Sequence, residues 1–334
     1  MHSINVNVIS KKSDGKIPVE VAGSVMIDIQ SLFRHIGEYT ISKELRLQNR
    51  IDRRLSEMFD LFIDPSSGIS LRSVPSISTS GIVDDALMLL ERTLISMGSG
   101  AGGYWIEDNF QDPRFRRLIA EDIIQLAEDL SAGEGYYMKF AADSVFDKVD
   151  SDKIGDFIIK LGMSYENATC GVIRATHSKS KRVDGVKLEI AGNRVRMTFT
   201  DKSIEDQAMG LIGKASIVGG RIKFVNGSIS DIGNVMTVVP FNEVKFNRMI
   251  SSEGDVKLTE TLTAKVEFNE AKEEWILTNE GLGINISKKD WDSAITTFHD
   301  YFIFLWNEYA IKEGGELSEE EQEVKDYLLK LVVV

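Results

Sequence analysis

From Val21 onward the apolar residues Val25, Ile29, Leu32 and Ile36 recur at intervals of four, four, three and four, the period of a helix with one buried stripe. The segment before it, INVNVIS, alternates apolar and polar residues as a strand does, and Pro18 follows the turn KKSDGK where a helix can open. A second periodic run, ISKELRLQNRIDRRLSEMFDLF, carries Ile41, Leu45, Ile51, Leu55, Met58 and Phe62 and predicts another helix ending before Asp64-Pro65. Serine-rich LRSVPSISTSG reads as a loop or irregular strand. GIVDDALMLLERTLISMG and DPRFRRLIAEDIIQLAEDL then predict two more helices, the second with Asp112 as N-cap and Pro113 at the first helical position.

Near Cys170 the period shortens to two. GVIRATHSKSKR, GVKLEIAG, NRVRMTFTD, KASIVGGRIKF and ISDIGNVMTVV are short alternating segments broken by Gly, Asn and Asp, the pattern of a small antiparallel barrel or sheet. One short helix, SIEDQAMGLIG, interrupts them. From about Leu258 the pattern is a hairpin, LTAKVEFNEAKEEWILTN, then the loop EGLGINISKK, then a helix with seven aromatic residues between Trp291 and Tyr309. An acidic turn and a last short helix close the chain. The expected class is α+β, in three domains: mostly helical with an N-terminal strand over 1–165, small and β-rich over 166–250, and ββα with the aromatic and acidic helices over 251–334. A chain of 334 residues exceeds what one core usually fills.

In the aromatic helix, Trp291, Ile295, Phe298, Phe302, Leu305 and Tyr309 form a complete stripe that must face a core. Tyr301, Phe304 and Trp306 lie off it and are the candidate protein interface, for a partner protein or for self-association.

Charge sharpens this picture. The net charge of -13 argues against uniform coating of nucleic acid or anionic membrane, so local basic stretches stand out. Lys43, Arg46, Arg50 and Arg53 are spaced three, four and three, which on a continuous helix makes one cationic stripe. The stretch from Arg174 to Arg196 carries seven Lys or Arg against two acids. Within it Arg174, Lys179, Lys181, Arg182, Arg194 and Arg196 are candidate contacts to DNA or RNA. Phe199 is the one aromatic residue close by that could stack on a base.

Motifs of catalysis are sparse. GSGAGG, Gly98 to Gly103, fits G-x-G-x-x-G literally, but it follows a helical pattern rather than a strand, and YWIEDNF after it does not look like a helix start. DKVDSDKIGDF has the acid density of a calcium loop, with Ile154 and Leu161 where ligands belong. The histidines His2, His35, His177 and His299 are far apart, and Cys170 is the only cysteine, so a disulfide within the chain and a cysteine zinc site are excluded. No cofactor and no metal is expected. The N-terminus lacks the apolar run of a signal peptide and no window is long enough to span a bilayer, which predicts a cytoplasmic protein without membrane contact.

The segment LTAKVEFNEAKEEWILTNEGLGINISKKDWDSAITTFHDYF resembles the strand, strand, Leu-Gly corner and helix of HicB-like antitoxin domains, with DWDSA, Asp290 to Ala294, at the helix start. The resemblance implies a non-catalytic module that covers a partner protein. The remainder resembles uncharacterised prokaryotic proteins. The expected function is therefore a non-enzymatic binding or regulatory protein, an antitoxin-like or accessory subunit of a prokaryotic defence or toxin-antitoxin module, with nucleic-acid contact. Two alternatives stand beside it: a nucleic-acid or nucleotide-processing enzyme using carboxylates such as Asp84, Asp85, Asp143 and Asp147, and a structural subunit of a larger assembly.

Overall fold

In the computed structural model the helical and alternating periods sort into two units, Met1–Lys43 with Ile51–Met163, and Glu44–Arg50 with Ser164–Val334. The structure describes residues 3–11, 16–49, 51–64, 70–73, 80–98, 102–131, 135–140, 144–146, 164–177, 183–312 and 317–332. The barrel and the C-terminal sheet, expected as two domains, fall within one unit.

In the first unit β1 (Ser3–Ser10) is followed by α1 (Val19–Leu45), the short α2 (Arg53–Ser56) and a 3-10 turn, Glu57–Phe59. Then come β2 (Leu61–Asp64), β3 (Ser70–Ser73), α3 (Ser80–Gly98), α4 (Gly102–Asn109), α5 (Pro113–Ser131), β4 (Tyr136–Phe140) and β5 (Ser144–Phe146). The strands form one antiparallel sheet in the order β2-β3-β1-β4-β5, so the helices of this unit are accompanied by a five-stranded sheet where one N-terminal strand was expected. Strands of three to five residues are too short to display an alternating period, and β2 lies inside the run that reads as a helix. α5 begins as its sequence requires: the Asp112 carboxylate accepts from the Arg114 N–H at 2.9 Å and Pro113 fills the first helical position. YWIEDNF is helical after all, as most of α4.

α1 is one helix where two were expected, because Ile41 and Leu45 extend the buried face of Val25, Ile29, Leu32 and Ile36. Gly37 does not break it. The fully buried ring of Phe59, edge-on to Phe33 at 5.7 Å, occupies the space a Cβ on Gly37 would need. The helix ends at Arg46, whose φ of 53° is left-handed, and Asp52 re-starts a single turn by accepting from the Arg54 N–H.

The second unit opens with a closed barrel of β6 (Ser164–His177), β7 (Val183–Ile190), β8 (Asn193–Phe199), β9 (Ala215–Val225) and β10 (Ser228–Pro240). The order β10-β8-β7-β6-β9 closes through an antiparallel β9–β10 pair, and the β8–β10 pair alone is parallel. Inward residues such as Ile173, Leu188, Val195, Val218 and Ile232 fill it, joined by Ala208 of α6 (Lys202–Met209), which connects β8 to β9.

Next, β11 (Glu243–Ser251), β12 (Gly254–Asn269), β13 (Glu274–Asn279) and β14 (Ile284–Lys288) make an antiparallel sheet in that order. The expected ββα unit is thus a four-stranded sheet with a helix across it. That helix, α7 (Trp291–Leu305), starts at Asp290, which accepts from the Ser293 N–H at 2.8 Å, and lays Phe298 on Phe246 and Trp291 against Trp275. A π-helical turn, Trp306–Ile311, and α8 (Glu319–Leu331) follow, and Val332 bridges back to Leu258.

Replacing Gly37 by Ala tests the α1 packing. Helix propensity alone favours Ala by about 1 kcal/mol, whereas forcing a methyl against the Phe59 ring is an overpacking of about 1–3 kcal/mol. Chemical denaturation is expected to show a net loss of stability; a variant more stable than the parent contradicts this packing.

Candidate functional site

The basic region of the sequence becomes the outer face of β7 and β8. Val186, Leu188 and Ile190 on β7 and Val195 and Met197 on β8 are buried in the barrel, so the intervening Lys187, Glu189, Arg194, Arg196 and Thr198 point outward. A two-residue turn, Ala191 at φ 46° and Gly192 at φ 78°, sets the pairing. Ile190 lies opposite Asn193, Glu189 opposite Arg194, and Lys187 opposite Arg196. Like charges directly opposite in an antiparallel pair are unfavourable. Among the described residues neither Lys187 nor Arg196 has an ion-pair partner, and Arg194 stands 3.7 Å from Glu189 with 62% of its side chain exposed.

Arg174 is also brought into this row, opposite Lys187, but it is already engaged. Its guanidinium donates to both Glu189 oxygens at 3.2 Å and to Glu270 at 3.1 Å, and stacks over Phe268 at 5.4 Å. It therefore supports the face rather than offering a free charge. Lys179, Lys181 and Arg182 belong to the connection between β6 and β7, outside the described residues. Lys187 is one of the seven cations of the stretch but not among the candidate contacts read from it; its signal is the alternation of VKLEI, in which it is outward.

The other proposed cationic stripe does not exist as one. Lys43 is in the last turn of α1, Arg46 is left-handed just beyond it, and Arg53 starts α2, where it pairs with Glu57 at 2.8 Å. Arg50 lies outside the described residues. The helix break at Arg46 removes the periodicity on which the stripe depended.

On α7 the three off-stripe aromatics divide. Tyr301 and Phe304 are 40% and 47% exposed and stack on each other, ring centroids 5.9 Å apart. Trp306 is buried, at 9%. It is four residues after Phe302, only about 40° around a helix from it, and so falls within the width of the buried stripe. His299, beneath, accepts the Ile250 N–H at Nδ1 (2.9 Å), which leaves its proton on Nε2; burial pushes its pKa down to about 3.

Carboxylates do gather, though not those nominated. Asp84 and Asp85 sit on α3, and Asp143 and Asp147 lie outside the described residues. Instead Asp28, Ser31 and His35, on one face of α1, meet Asp122 and Asp129 of α5. Burial first, then the charge and hydrogen bond of Asp129, push the Asp28 carboxyl up to about 7. His35 Nδ1 lies 2.5 Å from Asp122, whose hydrogen bond and charge outweigh burial and raise the imidazole pKa. The Ser31 hydroxyl donates to the other Asp122 oxygen at 2.9 Å and not to His35, so the group holds no serine activated by a base. It is a hydrogen-bonded seam between two helices. Among the described residues, no group of three or more His, Cys, Asp or Glu could hold a metal ion.

In the second unit the Asp292 carboxylate accepts the N–H groups of Gln48 and Asn49 (2.9 and 2.8 Å) and the Asn49 amide (2.9 Å). Gln48 in turn donates to the Cys170 carbonyl at 2.5 Å. Burial raises the Cys170 thiol pKa far above its usual value, so this cysteine is an inert part of the joint. No helix of the described residues is long and apolar enough to cross a membrane.

No protein-family model matches the chain, and neither a curated protein nor a solved structure matches it.

Two of the buried titratable groups, Asp28 and His299, give opposite pH responses. The folded pKa of Asp28 is raised above the unfolded value near 3.8, so its contribution is complete below that value and is lost as pH rises through about 7. That of His299 is lowered, so its contribution is complete above 6.5 and is lost as pH falls toward about 3. Thermal unfolding should show Asp28→Asn gaining on the parent between pH 5 and 8, on the order of 1 kcal/mol, and His299→Gln flattening the acid loss. Parallel pH profiles for parent and variants contradict these assignments.

Proposed function

We propose that the chain is a non-enzymatic binding protein that engages single-stranded nucleic acid through the outer face of β7 and β8. One observation carries the reading: half-buried Lys187 and exposed Arg196 are held directly opposite each other on the outer face, with no ion-pair partner among the described residues, in a chain of net charge -13. An unfavourable pair of this kind is accounted for when a polyanion relieves it. Five-stranded Greek-key barrels of the OB type bind oligonucleotides or oligosaccharides on the face of their second and third strands and with the loop between the first and second. Here β7 and β8 are the second and third strands, and the loop is the segment carrying Lys179, Lys181 and Arg182. Fold alone assigns no function. Charge chooses the polyanion over a neutral sugar.

A second surface is favoured by the stacked, exposed Tyr301–Phe304 pair on α7, which suits a partner protein or a second copy, as the resemblance to HicB-like antitoxin domains implies. The combined picture is a cytoplasmic regulatory or accessory subunit, with the antitoxin-like role as its most specific form. The alternative of an enzyme built on carboxylates has in its support the Asp28, Asp122 and Asp129 seam, whose chemistry is proton sharing.

Fluorescence anisotropy with a labelled single strand of about 16 nucleotides, the upper end of a barrel's site size, tests the first surface. Affinity should fall with salt with a log–log slope of about -2, for three contacts at about 0.7 each. Lys187→Glu with Arg196→Glu should weaken binding by about tenfold or more. Unchanged binding by that variant sinks the assignment.

For the second surface, sedimentation of the chain should show association that Tyr301→Glu with Phe304→Glu abolishes without loss of folding. An unaltered sedimentation profile between parent and variant removes the pair as an interface for a second copy.

A further inference from the structure

Resting on the nucleic-acid reading, we infer that the barrel face holds the sugar-phosphate backbone of one strand and leaves its bases unread. The outward residues of β7 and β8 are Lys187, Glu189, Arg194, Arg196 and Thr198, and none of them is aromatic. The rings nearby are occupied. Tyr165 and Phe224 stack on each other at 6.0 Å, Phe199 packs against the barrel core, and Phe268 lies under Arg174. A base reaching this face therefore meets cations and no free ring among the described residues, whereas platforms that discriminate by stacking present rings to successive bases.

The width of the track points the same way. Across the sheet, Arg174, Lys187, Arg196 and Asp231 are successive partners on β6, β7, β8 and β10. Arg174 is neutralised by Glu189 and Glu270, and Asp231 separates Arg196 from Lys223 on β9, so the uninterrupted cationic track is Lys187 with Arg196, two strands wide or about 10 Å. A single backbone fits between those limits. A duplex needs contact to two backbones and would bring its second one against Asp231 or the Glu189–Arg174–Glu270 group. Along β8, Arg194 and Arg196 are two residues and about 6.8 Å apart, a separation close to that of consecutive phosphates on an extended strand.

The test compares the full chain binding to oligo-dT, oligo-dA, oligo-dC and a strand of the same length made of abasic sites, together with a duplex, at one salt concentration. The expected result is affinities for the four single strands within about threefold of one another, all lost together in Lys187→Glu with Arg196→Glu, and weaker binding of the duplex. A loss of roughly tenfold on removing the bases, the size expected of even one stacked base, overturns backbone-only recognition while leaving nucleic-acid binding in place. Duplex binding equal to that of the single strands overturns the width argument. Failure of every strand to bind overturns both this inference and the reading beneath it.

Discussion

The two-residue turn at Ala191 and Gly192 governs the surface of the barrel. Both residues take positive φ, the backbone twist that a tight antiparallel hairpin requires, and glycine supplies the second without strain. With the turn length set, the register of β7 against β8 has no freedom, and a slip of one residue would expel Leu188 and Val195 from the core. The apolar residues that fill the barrel thereby dictate which charges share the outside. Lys187 and Arg196 are opposite because Leu188 and Val195 must be. Their mutual repulsion is a consequence of a register stabilised elsewhere, and it concentrates positive charge on this part of the face.

Beside that face, within the second unit, charge is used structurally. Arg174 is the informative case: the same residue type, in the same row, is bound to two glutamates and stacked on Phe268, so it braces β6 against the loop after β12. Asp292 performs a comparable service at the start of α7, where three N–H donors from Gln48 and Asn49 converge on one carboxylate and tie residues 44–50 into the second unit. Both are structural uses of charge. On β7 and β8 they leave Lys187 and Arg196 without an ion-pair partner among the described residues.

Much of the second unit was legible because its strands are long enough to alternate; the barrel segments stand out in the sequence, and Trp291, Ile295, Phe298, Phe302 and Leu305 of the stripe are buried as their spacing requires, while Tyr309 is half-buried in the turn beyond α7. What was not legible depended on distant packing. Gly37 is the seat of the Phe59 ring, a contact between residues 22 positions apart that no local period reveals. The continuous cationic stripe from Lys43 to Arg53 presumed a helix that Arg46 ends by a left-handed turn, a conformation that arginine does not advertise. Trp306 was assigned to the surface by listing it off the stripe, when its angle from Phe302 places it near the stripe's edge. Lys187 belongs to the basic stretch that the sequence shows, but its position opposite Arg196 comes from pairing across strands, which a count along the chain does not give. The closing parallel pair of β8 and β10 follows from strand order, which alternation does not encode.

The most direct test of the account is an amide chemical-shift titration of the whole chain with a single-stranded oligonucleotide. Shifts concentrated on residues 185–198, with the first unit unmoved, are the predicted result. Shifts centred on α1 and α5, or none at saturating oligonucleotide, would contradict it.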